Sequence, residues 1–195
     1  MASVQERLRA AGILPGDGRP QAPSPEYARL ASVLAGLRVR SVGLVPAADD
    51  VGVPLVALHL AAALALVEGG LVGVVDAEGS WPAPAGDEGN GAEAPPLVTV
   101  ELSPKLMLFT GRARPGTEVQ RIRDALEFPG LRASWMVIDL TGLDRSGEHL
   151  AAMSAVDRIA VVARAGRTTA AQLERRLREV PLHRSLGVLL VGAVP

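Results

Sequence analysis

Residues 41–54 read Ser41-Val-Gly-Leu-Val-Pro-Ala-Ala-Asp-Asp-Val-Gly-Val-Pro54, and an apolar stretch continues from there to Glu68. The run that ends at Val45 has the length and composition of a buried strand. Pro54 stands where the first turn of a helix tolerates proline, and two glycines after Glu68 end that helix. A buried strand that leads through a short turn into a helix is the first half of a βαβ unit. The segment therefore predicts a parallel sheet with covered faces.

The same alternation of apolar runs and helical patterns continues along the chain. Strands are predicted at residues 71–75, 97–101, 106–109, 135–139, 158–162 and 187–191. Helices are predicted at residues 26–37, from Thr117 onward, around residues 148–154 and from Thr169 to about Val180. Thr117 and Thr169 each precede a glutamine by three positions, which is the spacing of a capping box. The pattern predicts an α/β fold with a doubly wound, mainly parallel sheet of roughly five to seven strands and helices on both faces.

Proline and glycine separate two less regular segments from the rest of the chain. Residues 1–24 mix both residue types with scattered polar side chains, and we expect a flexible N-terminal arm there. Residues 25–195 are predicted to form a single domain. Within it, residues 77–96 contain four prolines, four glycines, four acidic residues and no basic residue. This composition is typical of an acidic surface loop.

Composition excludes several classes of function. The 20 basic and 21 acidic residues leave a formal charge of -1, which disfavours a polyanionic partner such as nucleic acid. Aromatic residues make up only 3% of the chain, so stacking on single-stranded nucleic acid is not expected. The chain has no cysteine, which excludes disulfides, thiol nucleophiles and Cys-ligated metals. The three histidines show no metal-ligand spacing, and His59 is expected to pack in the core.

The N-terminal sequence lacks the basic and apolar pattern of a secretory signal. The most apolar stretch, residues 55–67, is shorter than the ~20 residues that a membrane-spanning helix needs. We therefore expect a cytoplasmic protein without a membrane span.

The turn after the first strand occupies the place of a phosphate-binding loop, which reads G-x-x-x-x-G-K-[ST]. When Gly52 is aligned with the second glycine, Ala47 takes the place of the first. Val53 then replaces the lysine, so no cation is available for the β and γ phosphates. Pro54 replaces the serine or threonine and offers neither a hydroxyl for magnesium nor an N–H for phosphate. Each substitution removes a group that the chemistry requires.

The charges near this turn also disfavour a triphosphate. Asp49 and Asp50 would place two carboxylates beside it, and a helix N-terminus could not offset their repulsion. Lys105 is the only lysine in the chain and belongs to a later turn. A catalytic cation would have to come from elsewhere, such as Arg40 or an arginine of a second subunit.

Five short segments, in order along residues 25–193, resemble the MinD/ParA-like P-loop ATPases. Within them the chain is most similar to the cytoplasmic kinase domain of bacterial tyrosine kinases from capsule and exopolysaccharide systems. The segments are Pro25-Glu-Tyr-Ala-Arg-Leu30, Val74-Val-Asp-Ala-Glu78, Val137-Ile-Asp-Leu140, residues 157–168 and residues 186–193. The resemblance places Asp139 at the Walker B aspartate and Asp76 in the second acidic motif. Gly192 stands where the family has a base-contacting asparagine.

The chain departs from this family at functional positions. The lysine of the phosphate-binding loop is missing, and so is the tyrosine-rich C-terminal tail, since Tyr27 is the only tyrosine. The resemblance therefore implies a degenerate ATPase without tail autophosphorylation, and we expect no cofactor and no metal. The vestigial pocket would comprise Ala47, Asp49, Asp50, Gly52, Val53, Pro54, Asp76 and Asp139.

Three functions remain open. We favour a non-catalytic ATPase-like protein that regulates or scaffolds polysaccharide export, polarity or partitioning. Its partner would be a protein, such as a second copy or a related ATPase or kinase subunit, bound near Asp49, Asp50, Arg164 and Arg167. The helix at residues 26–37 is a second candidate surface. The alternatives are an active ATPase or kinase with a displaced cation, and a DNA-associated regulator of the RecA or ParA type.

Overall fold

The computed structural model describes residues 4–10, 23–49, 51–81, 97–111, 116–128 and 135–192 of the chain. The strands are β1 Ser41–Pro46, β2 Val72–Asp76, β3 Val98–Ser103, β4 Leu106–Thr110, β5 Trp135–Asp139, β6 Arg158–Arg164 and β7 Ser185–Val191. The helices are α1 Val4–Ala10, α2 Pro25–Ala35, α3 Val53–Glu68, α4 Glu118–Leu126, α5 Leu143–Ser146, α6 His149–Ser154 and α7 Ala170–Glu179. A 3₁₀ turn, Leu182–Arg184, precedes β7.

These strands form one seven-stranded sheet in the order β3-β4-β2-β5-β1-β6-β7. All neighbouring strands are parallel except β3 and β4, which form an antiparallel hairpin at one edge. Because the central strands are buried on both faces, they are almost continuously apolar rather than alternating. The predicted α/β fold with a mainly parallel sheet is confirmed.

Each face of the sheet carries its own hydrophobic core. One core joins α1, α2 and α3 to inward side chains such as Leu44 and Val137, and the other joins α4 to α7 to side chains such as Val45 and Ile138. Helix α3 packs on β5, β2 and β1, as its apolar sequence predicts. The two cores hold the carboxyl ends of the parallel strands at a common edge, where ligands bind in folds of this kind.

The structure corrects two local predictions. Residues 1–24 were expected to form a flexible arm, yet Val4–Ala10 is a helix whose Leu8 is fully buried and belongs to the core that also contains residues of α2 and α3. The other residues of that segment, apart from 23–24, lie outside the described part of the chain. A capping box forms at Thr169 and Gln172 but not at Thr117. At the start of the helix that follows Thr117, the backbone N–H of Val119 donates instead to Oε2 of Glu148, at an N···O distance of 3.0 Å.

Candidate functional site

The turn after β1 places apolar side chains where a phosphate-binding loop places polar ones. Ala47 donates its N–H to the carbonyl of Val162 on β6, and the chain then reaches Gly52, whose φ of +73° favours glycine. Val53, which the sequence alignment sets at the position of the lysine, is buried in the core at the start of α3. Asp49 is exposed, and Asp50 lies outside the described residues. The turn offers no cation for a phosphate among its described side chains.

Asp76 ends β2 and is buried, with both carboxylate oxygens accepting hydrogen bonds from the protein. Oδ1 accepts from the backbone N–H groups of Gly79 at 2.9 Å and Ser80 at 3.2 Å. Oδ2 accepts from the backbone N–H of Trp81 at 2.8 Å and from the hydroxyl of Thr110 at 3.0 Å. The chain after β2 therefore folds back over this carboxylate and encloses it.

Asp139 ends β5 and lies beside Asp76, with which it pairs in the sheet register. Its Oδ1 accepts from the Thr141 N–H at 2.9 Å and from the Thr141 hydroxyl at 2.6 Å. Its Oδ2 accepts from the indole Nε1 of Trp81 at 3.0 Å. Trp81 thus binds one aspartate through its backbone and the other through its side chain, and it is itself buried.

Trp81 and Arg121 are site residues that sequence reasoning missed. Residues 77–96 were predicted as a surface loop, but of the described residues 77–81 both Ala77 and Trp81 are buried. Arg121, on α4, is also buried, and its guanidinium donates to the backbone carbonyl of Asp76 at 3.1 Å. Its sequence context is an ordinary amphipathic helix, which gives no signal of this role.

Burial dominates the electrostatics of the two aspartates. Loss of solvation raises the pKa of Asp76, although its hydrogen bonds and the nearby Arg121 act in the opposite direction. The same effect raises the pKa of Asp139 from 3.8 to about 6, against hydrogen bonds from Thr141 and Trp81 and with a further contribution from the charge on Asp76. The site therefore holds two carboxyl groups that resist ionisation.

Glu78, at the second acidic position of the motif, faces the loop after β5. It forms an ion pair with Arg145 and lies against Gly142, where an added Cβ would clash with the Glu78 carboxylate. Gly142 has φ +82°, so both the space and the backbone conformation at this position favour glycine. The carboxylate of Glu78 is therefore already paired with a cation of the protein, Arg145.

Of the residues predicted for a partner interface, Asp49, Arg164 and Arg167 lie at the same edge of the sheet, and Asp50 lies outside the described residues. β1 and β6 are neighbours, so Asp49 follows one of them while Arg164 ends the other and Arg167 lies in the next turn. Arg40, considered above as a displaced cation, precedes β1 at the opposite end of the strand, where its N–H binds Asp157. That position is incompatible with a catalytic role at the carboxyl edge. Across the described residues, no group of three or more His, Asp or Glu side chains is placed to hold a metal.

Comparison with solved structures places this geometry in a known architecture. The chimerical protein CapA2B2 superposes with a TM-score of 0.66 at 15% identity, covering 94% of this chain and 91% of that protein. The kinase domain of the Escherichia coli tyrosine kinase ETK gives a TM-score of 0.60 at 18% identity, over 86% of this chain and 73% of that one. The chain shares its α/β fold with both of these proteins.

A ParA family ATPase from Chlorobium tepidum matches the same architecture, with a TM-score of 0.57 at 18% identity, over 77% of this chain and 73% of that one. No protein-family model matches the sequence, and the search of curated proteins finds no relative. No helix among the described residues is both long and apolar enough for a membrane span. Asp76 and Asp139 lie at the carboxyl ends of β2 and β5.

Proposed function

We propose that this protein is a non-catalytic, ATPase-like regulator or scaffold. The observation that carries the proposal is the state of Asp76 and Asp139, whose four carboxylate oxygens all accept hydrogen bonds from the protein itself. Magnesium at a phosphate site is normally held by one or two carboxylates together with the substrate phosphates. Here such an ion would have to displace Trp81 and break hydrogen bonds inside a buried site.

The turn after β1 supports the same conclusion. Phosphoryl transfer depends on positioned cations that stabilise the charge developing on the phosphate oxygens. Val53 is buried and apolar, and Pro54 lacks both a hydroxyl and an N–H. We therefore expect neither hydrolysis of ATP nor tight binding of a nucleotide, and we assign the chain no cofactor.

A protein of this fold that does not bind nucleotide can still bind other proteins through its surface. We assign the partner contact to the face formed by Asp49, Asp50, Arg164 and Arg167, because charges of both signs without a net field suit a specific protein contact. The partner would be a second copy or a related ATPase or kinase subunit. The proposed setting is a cytoplasmic machine for polysaccharide export, polarity or partitioning.

The catalytic part is tested by isothermal titration with Mg-ATP and Mg-ADP together with phosphate release. No heat of binding and no release above background are expected for the wild type. Asp139→Ala is the control, since any genuine activity at this site must fall in that variant. Magnesium-dependent release that survives gel filtration and disappears in Asp139→Ala would overturn the proposal.

The partner contact is tested by charge reversal. Asp49→Arg and Arg167→Glu are compared with the wild type in affinity capture and in sedimentation of the isolated chain. Arg123→Glu, an exposed arginine on α4, is the matched control. Loss of the same partner, or of self-association, in the two test variants but not in the control is expected. If both test variants retain every partner, the interface is assigned to the wrong face.

A further inference from the structure

Helix α2 is anchored unevenly to the rest of the molecule. In its second half, the side chains of Ala31 and Leu34 are fully buried in the core. In its first half, Tyr27 and Leu30 are only half-buried against that core. Among the residues that the structure describes, no side chain of α2 hydrogen-bonds to another element. An isolated helix of this length is marginal in water, so the first half stays helical through its apolar contacts.

The first half of α2 meets α3 through a pair of aromatic rings. Tyr27 on α2 and His59 on α3 lie edge to face, with ring centroids 5.3 Å apart and an angle of 72° between the ring planes. Both rings line a cavity of about 660 Å³ whose other walls are mainly aliphatic, as at Leu55 and Leu189. Neither ring makes a hydrogen bond within the described part of the chain. The half-buried imidazole of His59 therefore packs as an apolar ring, and its acceptor nitrogen is where a proton would add.

The ionisable groups around His59 do not compensate a charge on its ring. α3 itself is apolar from Val53 to Val67 apart from this histidine. Glu26, on α2, is fully exposed to solvent, and Tyr27 stays neutral because burial raises its pKa. From β6, Arg164 lines the same cavity with a charge of the same sign as an imidazolium, and the other lining residues carry no ionisable group. Burial accordingly lowers the pKa of His59.

A proton on His59 therefore favours a state in which the ring faces water. A solvated imidazole has a pKa of about 6.5, above that of the docked ring. By linkage, the contribution of the docked ring to stability is complete above about pH 6.5 and is lost as the pH falls toward the lower, docked value. Each unit that separates the two pKa values changes the docking equilibrium about tenfold.

We propose that the contact between Tyr27 and His59 is an acid-sensitive latch. Uptake of a proton from solvent by the His59 imidazole releases the first half of α2 from α3, while Ala31 and Leu34 keep the second half docked. Release opens the aliphatic cavity behind Tyr27. The inference goes beyond the proposed function, because the latch requires neither a nucleotide nor the partner face.

The test follows amide hydrogen exchange of the full chain by NMR at about pH 7 and about pH 5, on either side of the ordinary histidine pKa. Protection is corrected for the pH dependence of intrinsic exchange. At Arg29 and Leu30, in the first half of α2, protection should fall several-fold on acidification. At Leu34 and Ala35, in the second half, it should change less, and the ratio of the two sets removes any change in global stability. Unchanged protection at Arg29 and Leu30, or an equal loss in both halves, would overturn the latch.

Two histidine variants assign the response to the ring of His59. His59→Phe keeps an aromatic ring against Tyr27 and cannot take up a proton, so the acid response should disappear. His183→Phe is the matched control, since His183 is exposed in the 3₁₀ turn before β7, and this variant should keep the response. A full acid response in His59→Phe would show that another group drives the release.

Two measurements on the wild type do not depend on how the variants fold. Titration of the His59 ring resonances should give a pKa below that of the same histidine in the denatured chain, and an equal or higher value would overturn the proposal. Because Tyr27 is the only tyrosine, labelling with 3-fluorotyrosine gives a single ¹⁹F reporter. Its resonance should shift toward the solvent-exposed position with the midpoint of the His59 titration. A resonance that ignores this titration would contradict the release of Tyr27.

Discussion

The turn after β1 and the turn after β2 lie at the same edge of the sheet and are built in opposite ways. After β1, the buried Val53 stands where a phosphate-binding loop has its cation, and the described turn offers no substitute. After β2, polar groups are abundant, but Asp76 binds the backbone of residues 79–81 and Asp139 binds the Trp81 indole. The turn after β1 has no cation for a phosphate among its described side chains. At the turn after β2, the carboxylates that could bind magnesium already accept hydrogen bonds from the protein.

The two turns show that the identity of a residue does not determine whether its side chain is available to a ligand. A valine in place of a lysine is visible in the sequence, and its consequence for phosphate chemistry follows directly. An aspartate at a strand end looks competent in the sequence, because only the folded chain shows which donors surround it. The four predictions below test whether each turn is held by its own internal contacts.

The largest effect is expected for Trp81→Ala. Truncating this buried side chain leaves a cavity and removes the donor to Asp139 Oδ2, so the free energy of unfolding should fall by roughly 3–5 kcal/mol. Trp81→Phe keeps most of the volume and removes the N–H, for an expected loss of roughly 1–3 kcal/mol. Urea denaturation of the three proteins measures both values. Equal stability of wild type and Trp81→Phe would show that the indole hydrogen bond contributes nothing.

The second effect concerns the helix behind the turn after β1. Leu58 on α3 is buried against the sheet, and Leu58→Ala should lower the free energy of unfolding by roughly 2–5 kcal/mol. Leu66→Ala is the matched control, because Leu66 belongs to the same helix and is 66% exposed. Chemical denaturation should separate the two variants clearly. Similar losses in both would contradict the packing described for α3.

The third prediction is that the free energy of unfolding depends on pH through Asp139, at the turn after β2. The pKa of Asp139 is about 6 in the folded protein against 3.8 for the free group. Between these values the native state binds a proton that the unfolded state lacks, so this group's contribution to stability rises as the pH falls from about 7 to 4. The total change should be roughly 2–3 kcal/mol.

Asp139→Asn isolates that contribution, since an amide does not titrate. The free energy of unfolding of the variant minus that of the wild type should be larger at pH 8 than at pH 4.5. Asp144, whose pKa is lowered by its hydrogen bond to Arg176, is present in both proteins and cancels in the difference. Parallel stability curves for the two proteins would rule out a raised pKa at Asp139.

The smallest change is expected in the thermal midpoint on addition of nucleotide, which should not shift. Because a ligand stabilises a protein only through its binding free energy, millimolar Mg-ATP should leave the thermal midpoint unchanged. Val53→Lys should not restore a shift, since the residue is buried and the hydroxyl position is still proline. Differential scanning fluorimetry makes the comparison. An upward shift in the wild type that requires magnesium would show that the turn after β2 opens for the ion.

Much of the fold could be predicted from sequence because it depends on local patterns. Apolar runs located the strands, and the turn signals around Gly52 and Pro54 located the start of α3. The apolar runs predicted strands that end at Asp76 and Asp139, and β2 and β5 end there. The loss of a cation at Val53 stays a prediction from the sequence.

The missed features depend on contacts between distant residues. Trp81 lies at the start of a proline- and glycine-rich segment, where composition indicates solvent exposure, and its bond to Asp139 spans 58 positions. Arg121 looks like any arginine of an amphipathic helix, although it is buried against β2. At Thr117 the expected capping box is absent, and the acceptor comes from Glu148 on another segment. Local spacing carries no information about such partners.

The bond between Trp81 and Asp139 also gives the molecule a native optical reporter. The chain has two tryptophans, and Trp135 begins the same strand that Asp139 ends, about 13 Å away at the rise of a β-strand. In a Trp135→Phe background the remaining indole emits from the carboxylate site alone. Its fluorescence then follows protonation of Asp139 and any opening of the turn in real time, without an attached dye.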